Sequence, residues 1–372
     1  MDVSQLIRAG IRQVRPYAPG KPVEEVQREL GLDDVVKLAS NENPEGPLPA
    51  VLAAIEKAAR DVNRYPDGSA YRLTRKLAEH LDVEPGAILL GNGSNEVLDM
   101  VVRALLSPGE NFVFSQHSFI VYALAGSVHF ETGRSVPMQD GWRHDLSAMA
   151  AAIDERTKLV IVCNPNNPTG TYNTRDEFLG FLDRVPDDVV VAIDEAYYEY
   201  VVADDYPQAL PMLRERPNLM VLRTFSKIHS LAGLRIGYGV GDPALVGELQ
   251  KTREPFNVNM LSQAAAIACL EHWDEVAPRA RRNREQLELV ARRSLQVRAD
   301  DAHYLDRRPT RARFLCRFQH LIERNPVTGH EHDIADHRLV ARGAFPAVAG
   351  TLEGLQQIPG ALHGEFEDAA KA

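Results

Sequence analysis

Lys227 follows the apolar run Leu219-Met220-Val221-Leu222 by a few residues, at the end of the segment Arg223-Thr224-Phe225-Ser226-Lys227. A lysine desolvated at such a position loses part of its preference for the ammonium form and becomes a candidate Schiff-base nucleophile. Most lysines are solvated, and the company of this one sets it apart. The hydroxyls of Thr224 and Ser226 and the guanidinium of Arg235 are the donors that a phosphate monoester requires. Asp194 comes directly after Val189-Val190-Val191-Ala192-Ile193. A carboxylate there is costly to bury alone, so it should meet a cation, a metal or a positively charged ligand ring, unless it merely caps a helix. Gly91-Asn92-Gly93-Ser94-Asn95 combines glycines that permit a tight turn with a helix start able to hold an anion; a plain turn with an N-cap has the same pattern. Asn164-Pro165-Asn166-Asn167-Pro168-Thr169-Gly170 is a rigid turn that could aim an amide into a cleft, although turn-making alone selects such residues.

The elements that must position these groups are short apolar strands alternating with amphipathic helices. Strands are predicted at residues 87–90, 112–114, 159–162, 189–193, 219–222 and 236–240, and helices at 51–61 and 71–80. This alternation argues an α/β fold, a mostly parallel sheet with helices on both faces, in which ligands gather beyond the C-terminal strand ends. The 372 residues, 44% hydrophobic and 25% charged, suffice for two domains and exclude disordered or fibrous architectures. With 42 Lys plus Arg against 52 Asp plus Glu the net charge is −10, the wrong sign for binding nucleic acid or anionic lipid, so small molecules are the expected partners. No apolar run approaches the ~20 residues of a membrane helix. The N-terminal stretch with Arg8, Arg12 and Arg15 lacks the core of a signal peptide, so a cytoplasmic protein is expected. Cys163, Cys269 and Cys316 form no CxxC pair and suggest neither disulfides nor a metal site.

Taken together, Asn167 in NPNNPTG, Asp194 in DEAYYEY, and Lys227 with Arg235 in TFSKIHSLAGLR resemble the fold-type I aminotransferases that use pyridoxal 5'-phosphate. Within them VRPYAPGKP, LASNENPEGP, RYPDGSAYRL, GNGSNE and SKIHSLAGLRIGYG are most similar to the family that transaminates histidinol phosphate, over roughly residues 8–288. The resemblance implies a homodimer with shared active sites. It implies an arm at 1–35 that is also part of a small domain, a large cofactor domain at 36–250, and a small C-terminal domain at 251–372. Carried onto this sequence, it makes Lys227 the Schiff-base lysine and proton carrier, and Asp194 the partner of the protonated pyridine nitrogen. Asn167 and Tyr197 would bond the ring's 3-oxygen, and Phe119 would stack on the ring. The phosphate would meet Arg235, Ser226, Thr224 and the N–H groups of Gly93, Ser94 and Asn95, with Tyr65 reaching the partner subunit's cofactor. Tyr17 and Asn43 fall to the substrate; for Tyr17, Tyr65 and Phe119, core packing is the competing role. The implied reaction takes L-histidinol phosphate and 2-oxoglutarate to imidazole acetol phosphate and L-glutamate in histidine biosynthesis. Phosphothreonine decarboxylation, aromatic amino acid transamination and cofactor binding without turnover are the alternatives.

The chain departs from that family after about Glu288. From residue 289 onward there are eleven arginines but only one lysine, Lys371, and six of the twelve histidines. The strand and helix rhythm fades, and the LRISVG-like motif whose arginine clamps the substrate carboxylate is missing. A frameshift near the codon for Glu288 would produce such a break, and the gene sequence should then contain a single-base change whose reversal restores the motif. Otherwise Arg338 or Arg342 would supply the clamp, while the spacing of His330-Glu331-His332-Asp333 fits no helical metal-ligand pair.

Overall fold

A computed structural model describes residues 3–8, 11–12, 14, 20–38, 40–129 and 133–300, of which 129 and 293–300 are described by their backbone alone. Tyr17, Cys316, Arg338, Arg342 and the His330–Asp333 stretch therefore lie outside the described residues, as does most of the atypical segment from 289 onward. The chain divides into two compact units, Met1–Pro16 with Glu42–Arg281 and Tyr17–Asn41 with Arg282–Ala372. In the second unit helix α1 (Val23–Leu30) ends at Gly31, whose φ of +65° is the left-handed conformation that glycine adopts without penalty.

The first unit holds a seven-stranded sheet in the order β1-β7-β6-β5-β4-β2-β3. Helices α2 (Pro49–Ala59) and α3 (Tyr71–Leu81) precede β1 (Ile88–Gly91), and α4 (Ser94–Leu105) follows it. Then come β2 (Asn111–Ser115), α5 (Val121–His129), β3 (Gly133–Val136), α6 (Leu146–Ala151), β4 (Thr157–Cys163) and α7 (Arg175–Leu182). The core strands β5 (Val190–Asp194) and β6 (Leu219–Thr224) enclose the short helix α8 (Ala209–Met212) in sequence. Strand β7 (Gly237–Gly241), α9 (Pro243–Leu249), α10 (Met260–Glu271), α11 (Trp273–Val276) and α12 (Pro278–Asp300) complete the described chain. All strands are parallel except β7, which runs antiparallel to both β1 and β6. The mostly parallel sheet expected from the alternating pattern is thus present, and its central strands are apolar because helices cover both faces. One core layer joins α2, α3 and α10 to the outer part of the sheet, another places α4 and α5 on the same sheet, and a third places α6 and α7.

Register sets the strand ends level. Cys163 pairs with Asp194, and Asp194 with Leu222, so the residues that follow β4, β5 and β6 emerge at one edge. Because β7 is antiparallel, its first residue lies at that same edge: Gly237 pairs with both Thr224 and Gly91. Gly237 must be glycine, since a Cβ there would lie 2.3 Å from the Ser94 amide nitrogen and 2.7 Å from the Gly93 carbonyl carbon.

Candidate active site

Four loops leave the strand ends together. The turn after β1 begins α4 at Gly93, whose φ of +81° and ψ of 164° suit only glycine. Its shape is held by Glu96, which accepts hydrogen bonds from the Asn92 backbone N–H (2.5 Å) and the Asn257 side chain (2.7 Å). The first N–H groups of a helix have no acceptor within it, so those of Ser94 and Asn95 are open to an anion. A Cβ on Gly93 would sit 2.5 Å from Nη2 of Arg235, so the guanidinium lies directly against the bare backbone of this turn. Thr224 Oγ1 and Ser226 Oγ are 2.9 Å apart, and Arg235 Nη1 reaches Ser226 Oγ at 3.5 Å. The turn, both hydroxyls and the guanidinium thus form one cluster of donors.

The turn after β4 contains two cis prolines, Pro165 and Pro168. Two of its asparagines brace the loop. Asn164 donates to the Asn173 carbonyl (3.1 Å) and accepts from the Asn173 N–H (2.9 Å), while Asn166 donates to the His117 carbonyl (3.1 Å) and Thr169 Oγ1 (2.8 Å). Asn167, the third, is half-buried at the tip.

Asp194 ends β5 as a buried carboxyl. Its Oδ2 accepts from the Tyr122 hydroxyl at 2.7 Å, and its Oδ1 from the Ala196 N–H at 3.1 Å. Burial pushes its pKa up, while those two bonds and the nearby Lys227 charge pull it down. Lys227 shows the mirror effect: burial lowers its pKa and Arg235 lowers it further, against the pull of Asp194. Its Nζ stands 5.2 Å from the centre of the Tyr197 ring. Phe119 packs edge-to-face on Tyr122, with ring centres 5.8 Å apart. The loop around Asn43 joins the lysine loop, since Asn43 donates to the Ile228 carbonyl (3.2 Å). Buried Arg279 ties both together, donating to the carbonyls of Ile228 (2.9 Å) and Gly46 (2.7 Å) and to Ser230 Oγ (2.7 Å).

The structure therefore brings Lys227, Asp194 and Tyr197 together, links Phe119 to Asp194 through Tyr122, and gathers Gly93, Ser94, Thr224, Ser226 and Arg235. Tyr65 stands apart: it is 81% exposed and stacks on Phe256, with ring centres 4.7 Å apart.

Sequence reasoning missed three groups beneath this edge. Tyr122 hides in an apolar helix, where its hydroxyl is the only clue. Glu195 and Arg223 pair in the core, Oε2 to Nε at 2.9 Å and to Nη2 at 2.7 Å, and the guanidinium lies 3.5 Å from the Tyr198 ring centre. Burial works against the Arg223 cation, but Glu195, with Tyr238, Glu199 and Tyr198 adding to it, raises its pKa overall. Half-buried Glu199, whose Oε2 is shielded from water, is pushed up to about 7 by desolvation, despite Arg223.

The donor cluster is built of two hydroxyls, a guanidinium and backbone N–H groups, the Glu96 carboxylate being taken up by Asn92 and Asn257, so the residues present fit a phosphate monoester. The buried acid beside a depressed lysine fits a cationic ring with a carbonyl to capture. Comparison with known proteins agrees. The model of the family "Aminotransferase class I and II" matches residues 33–297. A "Histidinol-phosphate aminotransferase" of Geobacillus sp. is 48% identical over 286 residues, 77% of this chain and 78% of that one. A "Histidinol-phosphate aminotransferase 2" of Pseudomonas aeruginosa is 49% identical over 284 residues, 76% of this chain and 77% of that one. The crystal structure of the Sinorhizobium meliloti histidinol-phosphate aminotransferase in complex with pyridoxal-5'-phosphate superposes with a TM-score of 0.69, at 30% identity, covering 80% of this chain and 78% of that one. This chain belongs to the class I and II aminotransferases, the fold-type I enzymes that work with pyridoxal phosphate.

Proposed function

We propose that this enzyme transaminates L-histidinol phosphate with 2-oxoglutarate, giving imidazole acetol phosphate and L-glutamate, as the names of its relatives indicate. The observation that carries the reading is the half-buried Lys227 beside the buried Asp194, at the ends of neighbouring strands. When bound, pyridoxal phosphate supplies a conjugated ring that accepts the electrons left behind when the substrate's Cα loses its proton. Lys227 is the attachment point and then the base that moves that proton, a task helped by a pKa that burial has lowered. Asp194 keeps a proton on the ring nitrogen. Asn167 and Tyr197 donate to the ring's 3-oxygen, Phe119 covers one ring face, and Asn43 lines the substrate side. Arg235, Thr224, Ser226, Gly93, Ser94 and Asn95 hold the phosphate. Borohydride reduction of the loaded protein, followed by peptide mapping, should place the pyridoxyl group on Lys227, and recovery of the label on another lysine would refute the assignment.

We further propose a cytoplasmic homodimer in which the exposed Tyr65 serves the partner subunit's site. The stacked, solvent-facing rings of Tyr65 and Phe256 are the kind of aromatic surface that a subunit interface covers. Heterodimers of Lys227→Ala and Tyr65→Phe subunits should regain one site free of both lesions, and activity no higher than the better parent would place Tyr65 outside the partner's site.

The family match stops at residue 297, which favours a second reading in which the chain binds cofactor but turns over poorly. Adding L-glutamate separates the two: a competent enzyme bleaches its yellow form, and an impaired one stays yellow.

A further inference from the structure

We infer that Tyr122 is a positioning residue for this reaction, its hydroxyl fixing the orientation and charge of the Asp194 carboxylate that meets the cofactor's ring nitrogen. The inference rests on the cofactor reading above. Tyr122 lies on α5 and is wholly buried, and its hydroxyl donates to Asp194 Oδ2 at 2.7 Å. Its ring packs edge-to-face on Phe114 (centres 6.3 Å apart) and on Phe119 (5.8 Å), so one side chain touches both the acid and the aromatic ring proposed to cover the cofactor.

Tyr122 meets both Asp194 and the Cys163 thiol, and of these only Asp194 carries a charge for its hydroxyl to hold. Cys163, at the end of β4, has a thiol pushed up to about 12 by burial and stays neutral. Tyr122 itself is raised well above its ordinary value by burial and by the Asp194 charge, so it remains a phenol and a donor. Among the described residues Lys227 is the cation that acts on Asp194, and the neighbouring carboxylate Glu195 is matched by Arg223. With the Ala196 N–H on Oδ1 and the phenol on Oδ2, each carboxylate oxygen carries one fixed donor. Hydrogen bonds to the charged form hold a carboxylate ionised against desolvation. Without the phenol Asp194 becomes more basic and draws the proton away from the ring nitrogen. A ring with less positive charge then acidifies the Lys227 nitrogen less.

The test is a pH titration of the visible absorbance of the pyridoxal-phosphate-loaded protein. Tyr122→Phe, which keeps the packed ring, should raise the midpoint by about one unit, a tenfold change in proton affinity. Phe114→Leu disturbs the same packing without touching the hydroxyl and should leave the midpoint in place. Site-specific 3-fluorotyrosine at position 122, a stronger donor of nearly the same shape, should move it the opposite way, which keeps the inference open to refutation even if Tyr122→Phe does not fold. An unmoved midpoint in the fluorinated protein, or a shift in Phe114→Leu equal to that in Tyr122→Phe, would overturn it. Absence of any visible band from the unaltered protein would instead overturn the cofactor reading, and this inference with it.

Discussion

Replacing Asp194 with alanine should lower turnover by about three orders of magnitude or more while leaving the cofactor attached to Lys227. The carboxylate is almost wholly removed from water, and two donors already hold it in place. In the empty protein that arrangement is unfavourable, since burial raises its pKa and only distributed donors and the Lys227 charge oppose the change. A charge kept in such a setting is useful when a cation arrives, and in the proposed reading the protonated ring nitrogen is that cation. Alanine relieves that buried charge but leaves the buried Tyr122 hydroxyl without its acceptor, so the stability of the unloaded protein should change little while the group proposed to keep the proton on the ring is removed. Asp194→Asn separates charge from shape: the amide preserves the packing, and turnover should fall nearly as far. Single-turnover kinetics and chemical denaturation of both variants check the two halves of the expectation. Near wild-type turnover in either variant would exclude the proposed role.

Breaking the Glu195–Arg223 pair should produce the largest loss of stability. Arg223→Met removes the cation and two of the three donors from a carboxylate that is fully buried, leaving the Tyr206 hydroxyl at 3.3 Å, and an uncompensated buried charge costs about 3 to 5 kcal/mol. The loss should depend on pH. Burial already pushes the Glu195 carboxyl up, and without Arg223 nothing of opposite charge restrains it. A carboxyl whose folded pKa exceeds its unfolded one contributes full stability below the unfolded value of about 4.3 and loses it as pH rises through the folded value. Arg223→Met should accordingly be least damaging in mild acid and most damaging at neutral pH and above. Glu199, pushed up to about 7 in the intact protein, adds a slope of the same sign between its unfolded value and neutrality. Adding Glu195→Gln to Arg223→Met should recover much of the loss and flatten the pH dependence. Urea denaturation at several pH values measures this, and additive losses in the double variant would show that the two residues are not energetically coupled.

The sequence made the buried strands legible because strands covered on both faces are written as continuous apolar runs. Each of the six expected runs became a strand within one or two residues of its predicted limits. The seventh, β3, escaped notice: Gly133-Arg134-Ser135-Val136 lies at the sheet edge, where one side needs no apolar cover. Asp194 and Lys227 could be read because charged groups directly after apolar runs contradict ordinary burial. Tyr122, Glu195 and Arg223 could not, since their partners lie far away in the chain: helix packing on the sheet brings Tyr122 to Asp194, and β5–β6 register brings Glu195 to Arg223. Arg279 was invisible for the same reason, a surface-like residue in an Arg-rich stretch that turns inward to brace two loops.

The position of β7 between β1 and β6 has a consequence for synthesis. Ile88 pairs with Val240, so β1 leaves the ribosome long before β7, its neighbour among the described strands, exists. At roughly 5–20 residues per second the interval is on the order of ten seconds, during which an apolar strand edge waits unpaired. The glycine turn at the end of β1 is complete in sequence early but meets Arg235 and the glycines of β7 only at the end of that interval. A nascent chain halted before Gly241 would carry the turn and both hydroxyls with the sheet still open beside them, so cofactor capture belongs to the last stage of the sheet's assembly.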